Sequence, residues 1–249
     1  MELLLLGAAA LLAGFVDAVA GGGGLIQVPA LFATFPAEPP AVLFGTNKGA
    51  SIWGSASAAW RYTRRGDTPW AVALPAAAAA FAASFGGAAL VSWLPREVMR
   101  PLVLLLLLAV FVYTVFSPGL GRVSGALPSW FRLKAVLAGA VIGFYDGFFG
   151  PGTGSFLIFA FVRLFHLDFL RASAAAKLVN VATNAAALAY FVPHGQILWR
   201  VVAVMALCNV AGALIGSRLA LKHGAGFVRG LFLVVVALLI GKLGFDILR

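Results

Sequence analysis

Apolar runs of about 18 to 26 residues, set apart by short clusters of charge, recur along the 249-residue chain. As a helix, a run of that length crosses the ~30 Å hydrocarbon core of a bilayer. Composition points the same way: 62% of residues are hydrophobic and 10% charged, with a mean hydropathy of +1.02, against about 25% charged residues in soluble domains. The expected fold is an all-α integral membrane protein, with the lipid bilayer as its first partner. The net charge of +10 would point to nucleic acid in a soluble protein. Here the basic residues sit at the ends of apolar runs, where the positive-inside rule places them, so no nucleic-acid partner is expected. The single cysteine, Cys208, lies in an apolar run. It excludes an intrachain disulfide and a cysteine-based metal site, and is read as packing.

The first twenty residues end in Ala18-Val19-Ala20, which mimics a signal-peptidase site. No basic region precedes the apolar stretch, only Glu2, and the same pattern returns at Gly143–Gly154. A segment duplicated inside the chain is expected to be retained.

That duplication extends over the whole length. Sliding the chain against itself by 129 positions aligns Gly14, Phe15, Asp17, Gly21 and Gly23 with Gly143, Phe144, Asp146, Gly150 and Gly152, without a gap. Lys48 falls on Lys177, Trp70 on Trp199 and Gly87 on Gly216. Alanine and leucine matches mean little in such a composition, whereas paired lysines, aspartates and tryptophans carry the repeat. Each half divides into about five apolar segments, roughly 3–20, 25–36, 41–62, 69–94 and 98–117, then 132–149, 153–166, 169–193, 197–221 and 227–247. An odd number per half inverts the second relative to the first. The expected organisation is a first membrane repeat at 1–117, a cytoplasmic linker at 118–131 and a second repeat at 132–249. The second segment of each half is too short for a perpendicular crossing, so the first two read as a hairpin that turns inside the membrane.

Charge tests the inversion independently. With the loop around Arg61, Arg64 and Arg65 cytoplasmic, Arg122, Arg132, Lys134, Arg163, Arg171, Arg218, Lys222 and Arg229 fall on the same side. Arg96, Arg100, Arg200 and Arg249 fall opposite. This bias predicts a cell (inner) membrane protein with both termini outside the cytoplasm.

Glycine costs about 1 kcal/mol and proline about 3 kcal/mol in a helix interior. Gly21–Gly24 and Gly150–Pro151–Gly152–Thr153–Gly154 therefore end a helix at membrane depth, where broken backbone persists only inside protein or beside a water-filled cavity. Matched breaks in two inverted halves point to a transporter binding site near the midplane, and helices starting there would aim amide donors at an anion. The plainer account of the glycines is close helix packing. Candidate binding positions at the breaks are Gly22, Gly23, Gly24, Gly152, Thr153 and Gly154.

Lys48 and Lys177 lie within the third segments, where a charge costs about 2.5–3.5 kcal/mol on insertion scales. Helical spacing puts Lys48, Ser51 and Ser55 on one face, and Lys177, Asn180 and Asn184 on another; Asn47 lies beside the first. Two cations among amides and hydroxyls suit a small oxyanion. Otherwise the lysines snorkel to the interface or pair with Asp17 or Asp146. Those two carboxylates, just before the breaks, are candidates for a coupling proton or for fixed counter-ions. Trp70 and Trp199 fit an aromatic belt, and His166 and His194 fit segment ends.

Enzyme motifs do not emerge. The chain has no G-x-x-x-x-G-K-[ST], no H-E-x-x-H and no G-x-S-x-G, and Ile26 breaks a G-x-G-x-x-G at Gly21. No catalytic residue, metal or cofactor is expected.

The motifs GFVDAVAGGGGLIQVPALF and GFYDGFFGPGTGSFLI, with GTNKGAS at Gly45–Ser51, AAKLVNVATN at Ala175–Asn184 and GALIGSRLA at Gly212–Ala220, resemble the sulfite exporter TauE/SafE family of membrane permeases. The resemblance covers essentially the whole chain. It implies a permease of two homologous halves moving small anions, with sulfite, sulfonates and other sulfur compounds as the associated substrates. The resulting expectation is a secondary transporter, an exporter driven by the proton gradient, alternating access around the two breaks. A passive anion channel and a non-transporting membrane scaffold are the alternatives.

Overall fold

A computed structural model of the protein describes residues 2–91 and 125–248. The predicted segment 98–117, linker residues 118–124, and Arg96, Arg100, Arg122 and Arg249 lie outside the described residues. Eight helices and no strands make up the described residues. They are α1 (Glu2–Ala20), α2 (Gly24–Thr34), α3 (Pro40–Thr63), α4 (Trp70–Leu90), α5 (Phe131–Phe148), α6 (Thr153–Phe165), α7 (Phe169–Phe191) and α8 (Trp199–Leu248).

Local chemistry sets most of the boundaries. Pro40 opens α3, where a missing N–H is no loss. Asp168 caps α7, its Oδ1 accepting from the Arg171 amide at 2.9 Å. Gly224, at φ 75° and ψ −169°, interrupts α8, between the two apolar segments expected at 197–221 and 227–247. Both short segments end well before a bilayer thickness: α2 has 11 residues and α6 has 13, or about 16 Å and 20 Å of helix.

Large apolar side chains face outward, and a set of polar and charged ones is buried within the apolar interior. Leu4 is 78% exposed and Leu207 75%, whereas Lys177 is 0% exposed. Glu2–Ala20, Trp70–Leu90 and Trp199–Leu231 are each long and apolar enough to cross a membrane. The chain is an integral membrane protein. α3 and α7 are as long, but their buried faces carry the lysines, asparagines and serines of the third segments.

Packing follows the duplication with the partners exchanged. α1 lies chiefly against α8, and α4 chiefly against α5. At an offset of 129, α1 corresponds to α5 and α4 to α8, so the first helix of each half seats on the fourth helix of the other. Small residues allow the approach. A methyl on Gly147 would overlap the Ser84 carbonyl oxygen, whereas one on Gly86 would meet nothing within 4 Å. Gly147→Ala is therefore expected to cost about 1–3 kcal/mol in detergent-solubilised thermal unfolding, and Gly86→Ala to leave the transition in place.

Several charged groups gather at one end. Arg65 Nη1 donates to the Leu221 carbonyl at 3.0 Å and Arg171 Nε to the Asp67 carbonyl at 3.2 Å. The Gly125 amide donates to the His166 carbonyl at 2.7 Å. At the other end, Thr46 Oγ1 accepts from the Leu198 amide at 2.9 Å. Trp70 and Trp199, at the starts of α4 and α8, are exposed, as are His166 and His194.

Candidate functional site

The two breaks meet in the middle of the fold. Gly21 has φ +79° and Gly150 φ +90°, a conformation open to glycine at little steric cost. The backbones of Gly21 and Gly154 touch, the Ser155 amide donates to the Gly21 carbonyl at 3.0 Å, and Ser155 Oγ donates to the Ala20 carbonyl at 2.8 Å. The first break is thereby clamped to the start of α6. The second is held locally: Thr153 Oγ1 donates to the Gly150 carbonyl and Tyr145 Oη to the Pro151 carbonyl, both at 2.7 Å.

Beside this junction lies a cavity of about 40 Å³, room for about three waters. Its wall includes Asp17, Gly23, Gly24, Asn47, Lys48, Ser51, Ser55, Asp146, Thr153, Gly154, Asn180 and Asn184. Twelve of the fifteen positions singled out from sequence thus surround one space. Gly22, Gly152 and Lys177 are not part of the wall.

The charges are paired crosswise. Lys48 Nζ lies 2.8 Å from Asp146 Oδ2, and Lys177 Nζ lies 2.7 Å from Asp17 Oδ2. The lysine of each half is neutralised by the aspartate of the other. In a desolvated interior such pairing is what makes the charges tolerable. The pairs are not equivalent in exposure. Lys48 and Asp146 both line the cavity, whereas Lys177 is fully enclosed and only Asp17, with Ser55 donating to it at 3.4 Å, faces the space. Gly150 leaves room for the Lys48 ammonium, which would lie 3.0 Å from a Cβ there.

The family model described as sulfite exporter TauE/SafE matches residues 6–243. The chain belongs to the sulfite exporter TauE/SafE family. It is 39% identical over 230 residues to probable membrane transporter protein ORF9 of Sinorhizobium sp, covering 91% of this chain and 86% of that one. It is 37% identical over 237 residues to probable membrane transporter protein YfcA of Escherichia coli K12, covering 95% and 87%. A probable membrane transporter protein of Haemophilus influenzae is 34% identical over 238 residues, covering 94% and 91%. No solved structure gives a significant match. A TauE/SafE chain is a membrane transporter and not an enzyme.

Three wall residues of this TauE/SafE protein were not singled out as site residues from sequence: Gly21, Gly150 and Asn209. The two glycines are repeat matches whose positive φ shapes the breaks. Asn209 aligns with Ala80 across the repeat, so the self-comparison is blind to it. Its signal is a lone amide in the apolar run of α8. Gln27 escapes for the same reason, aligning with Phe156. It is fully buried behind the wall and accepts from Ser51 Oγ at 2.9 Å through Oε1.

Proposed function

We propose that this TauE/SafE protein is a secondary transporter of small anions (sulfite, sulfonates or related sulfur compounds) that alternates access around the cavity where the two breaks meet. The observation that carries the reading is that cavity: small, polar and drawn from both halves around crossed lysine–aspartate pairs. A buried polar space of this kind is costly for a scaffold. The relatives' names as membrane transporters support transport, and the family's name as a sulfite exporter supports the substrate class.

In this reading Lys48 supplies charge to the substrate, Asn47, Asn180, Asn184 and Ser51 supply hydrogen bonds, and the starts of α2 and α6 supply amides. Lys177 holds Asp17 in place. The halves 1–117 and 132–249 are inverted in the inner membrane about the linker 118–131. The end that gathers Arg65 and Arg171 faces the cytoplasm, with both termini outside. The direction is export, coupled to the proton gradient.

Radiolabelled sulfite uptake into proteoliposomes tests this. Saturable uptake with counterflow is expected, reduced about 10–100-fold by Lys48→Ala through loss of a charge-assisted contact. Uptake that does not saturate would favour a channel, and full activity in Lys48→Ala would sink the site assignment. Flux indifferent to collapse of the proton gradient would remove the coupling.

A further inference from the structure

We infer that the species bound in the cavity is a singly charged oxyanion that still carries an acidic hydrogen, hydrogen sulfite in place of the sulfite dianion. This rests on the transport reading above and narrows it.

The first argument is a count of hydrogens. A hydroxyl has one to donate. Ser51 gives its hydrogen to Gln27 Oε1 at 2.9 Å, Ser55 to Asp17 Oδ2 at 3.4 Å, and Thr153 to the Gly150 carbonyl at 2.7 Å. Toward the cavity these three hydroxyls offer only lone pairs. Asp17 and Asp146 also face it with acceptor oxygens. A ligand with acceptors alone leaves this side of the wall unmatched, and buried acceptors facing acceptors are unfavourable. A ligand with one hydrogen of its own answers it. Its remaining oxygens meet the Lys48 ammonium and the wall asparagines.

The second argument is charge. Among the described helices, the ionisable groups at the cavity come from four. α1 contributes Asp17, α3 contributes Lys48, α5 contributes Asp146, and α7 contributes Lys177 behind Asp17. α2, α6 and α8 contribute none to the wall. Tyr62 and Tyr145 stand nearby, with their hydroxyls donating to the Ala18 and Pro151 carbonyls. Among the described residues, two ammoniums and two carboxylates sum to zero and leave no surplus positive charge for a dianion. Desolvation cost grows with the square of the charge, and only strong pairing offsets it. A monoanion carrying its own proton halves the charge and supplies the missing hydrogen. Each transport event then moves one anion and one hydrogen together, equivalent to one sulfite and one proton, with a net charge of minus one. The proton rides on the substrate. In export it moves outward against its gradient while the net negative charge follows the membrane potential. The membrane potential therefore replaces the proton gradient as the driving force of the reading above.

The test is labelled sulfite uptake into proteoliposomes, at fixed total sulfite, as pH rises through the range where hydrogen sulfite gives way to sulfite. Protein-free vesicles subtract passive entry of sulfur dioxide. The half-saturation constant, expressed as hydrogen sulfite, is expected to stay constant, with low-concentration uptake falling about tenfold per pH unit once the dianion dominates. Methanesulfonate has the same charge and no acidic hydrogen, and should compete at least about tenfold more weakly. Ser51→Ala removes one acceptor and should narrow that gap. Uptake that tracks the dianion, methanesulfonate competing as well as hydrogen sulfite, or labelled methanesulfonate uptake falling with pH in parallel would each overturn the inference while leaving an anion transporter. Absence of uptake of any sulfur oxyanion would overturn the transport reading as well.

Discussion

Asp17→Asn is expected to destabilise the protein by about 3–5 kcal/mol, and Asp146→Asn by a fraction of that. The two aspartates are equivalent in the sequence repeat and each neutralises a lysine at under 3 Å. The difference lies in what is left behind. Removing the Asp17 charge strands the Lys177 ammonium, which is fully enclosed and does not line the cavity. An unpaired buried charge carries close to its full desolvation cost. Removing the Asp146 charge frees Lys48, which already borders the cavity and can be solvated there. Denaturant or thermal unfolding followed by tryptophan fluorescence in detergent measures both. The double variant Asp17→Asn/Lys177→Gln should recover most of the loss, since it removes both charges together. Equal losses in the two single variants would contradict the asymmetry. Asp146→Asn should also bind anions more tightly, because the site gains one net positive charge.

The second large effect is expected at the junction of the breaks. Gly154→Leu places in the second half the residue that stands at the matching position of the first, Leu25. A Cβ at Gly154 would come within 2.5 Å of Gly21 Cα. Backbone cannot yield as a side chain can, and the Ser155–Gly21 hydrogen bond would be lost with the contact. The expected result is no monodisperse protein on gel filtration and no transport. Gly154→Ala should cost at least the upper end of the overpacking range, about 3 kcal/mol. Gly24→Ala is the control: its Cβ would lie 3.3 Å from Pro151 Cα, which a small shift relieves. A stable, active Gly154→Leu protein would show that the clamp is dispensable.

Most residues that line the candidate cavity were readable in the sequence because membrane burial makes polar residues conspicuous. A lysine, an aspartate or a run of glycines within an apolar segment has few inexpensive explanations, and repetition at a fixed offset removes most chance ones. For this reason Lys48, Asp17, Asp146 and the serines and asparagines of the third segments were identifiable one by one. The same logic fails for Asn209 and Gln27, which face Ala80 and Phe156 across the repeat. Symmetry cannot reveal a residue that breaks symmetry. It also misplaced the emphasis on Lys177, whose sequence context matches that of Lys48 but whose ammonium is sealed behind Asp17.

By itself, the sequence determined the helical membrane class, the duplication, the positions of the breaks along the chain and the cast of polar residues, because hydropathy, helix propensity and self-similarity are local properties of the chain. Which lysine meets which aspartate was open, since either pairing satisfies the same pattern. Tertiary structure chose the crossed arrangement by seating the first helix of each half on the fourth helix of the other. It also decided that the half-sites differ. Gly154 and Ser155 close onto Gly21, whereas their counterparts are Leu25 and Ile26, and the Ile26 amide donates to Gly23 of its own segment. Distance in space and the bulk of a few side chains turned two equal sequence motifs into one asymmetric cavity.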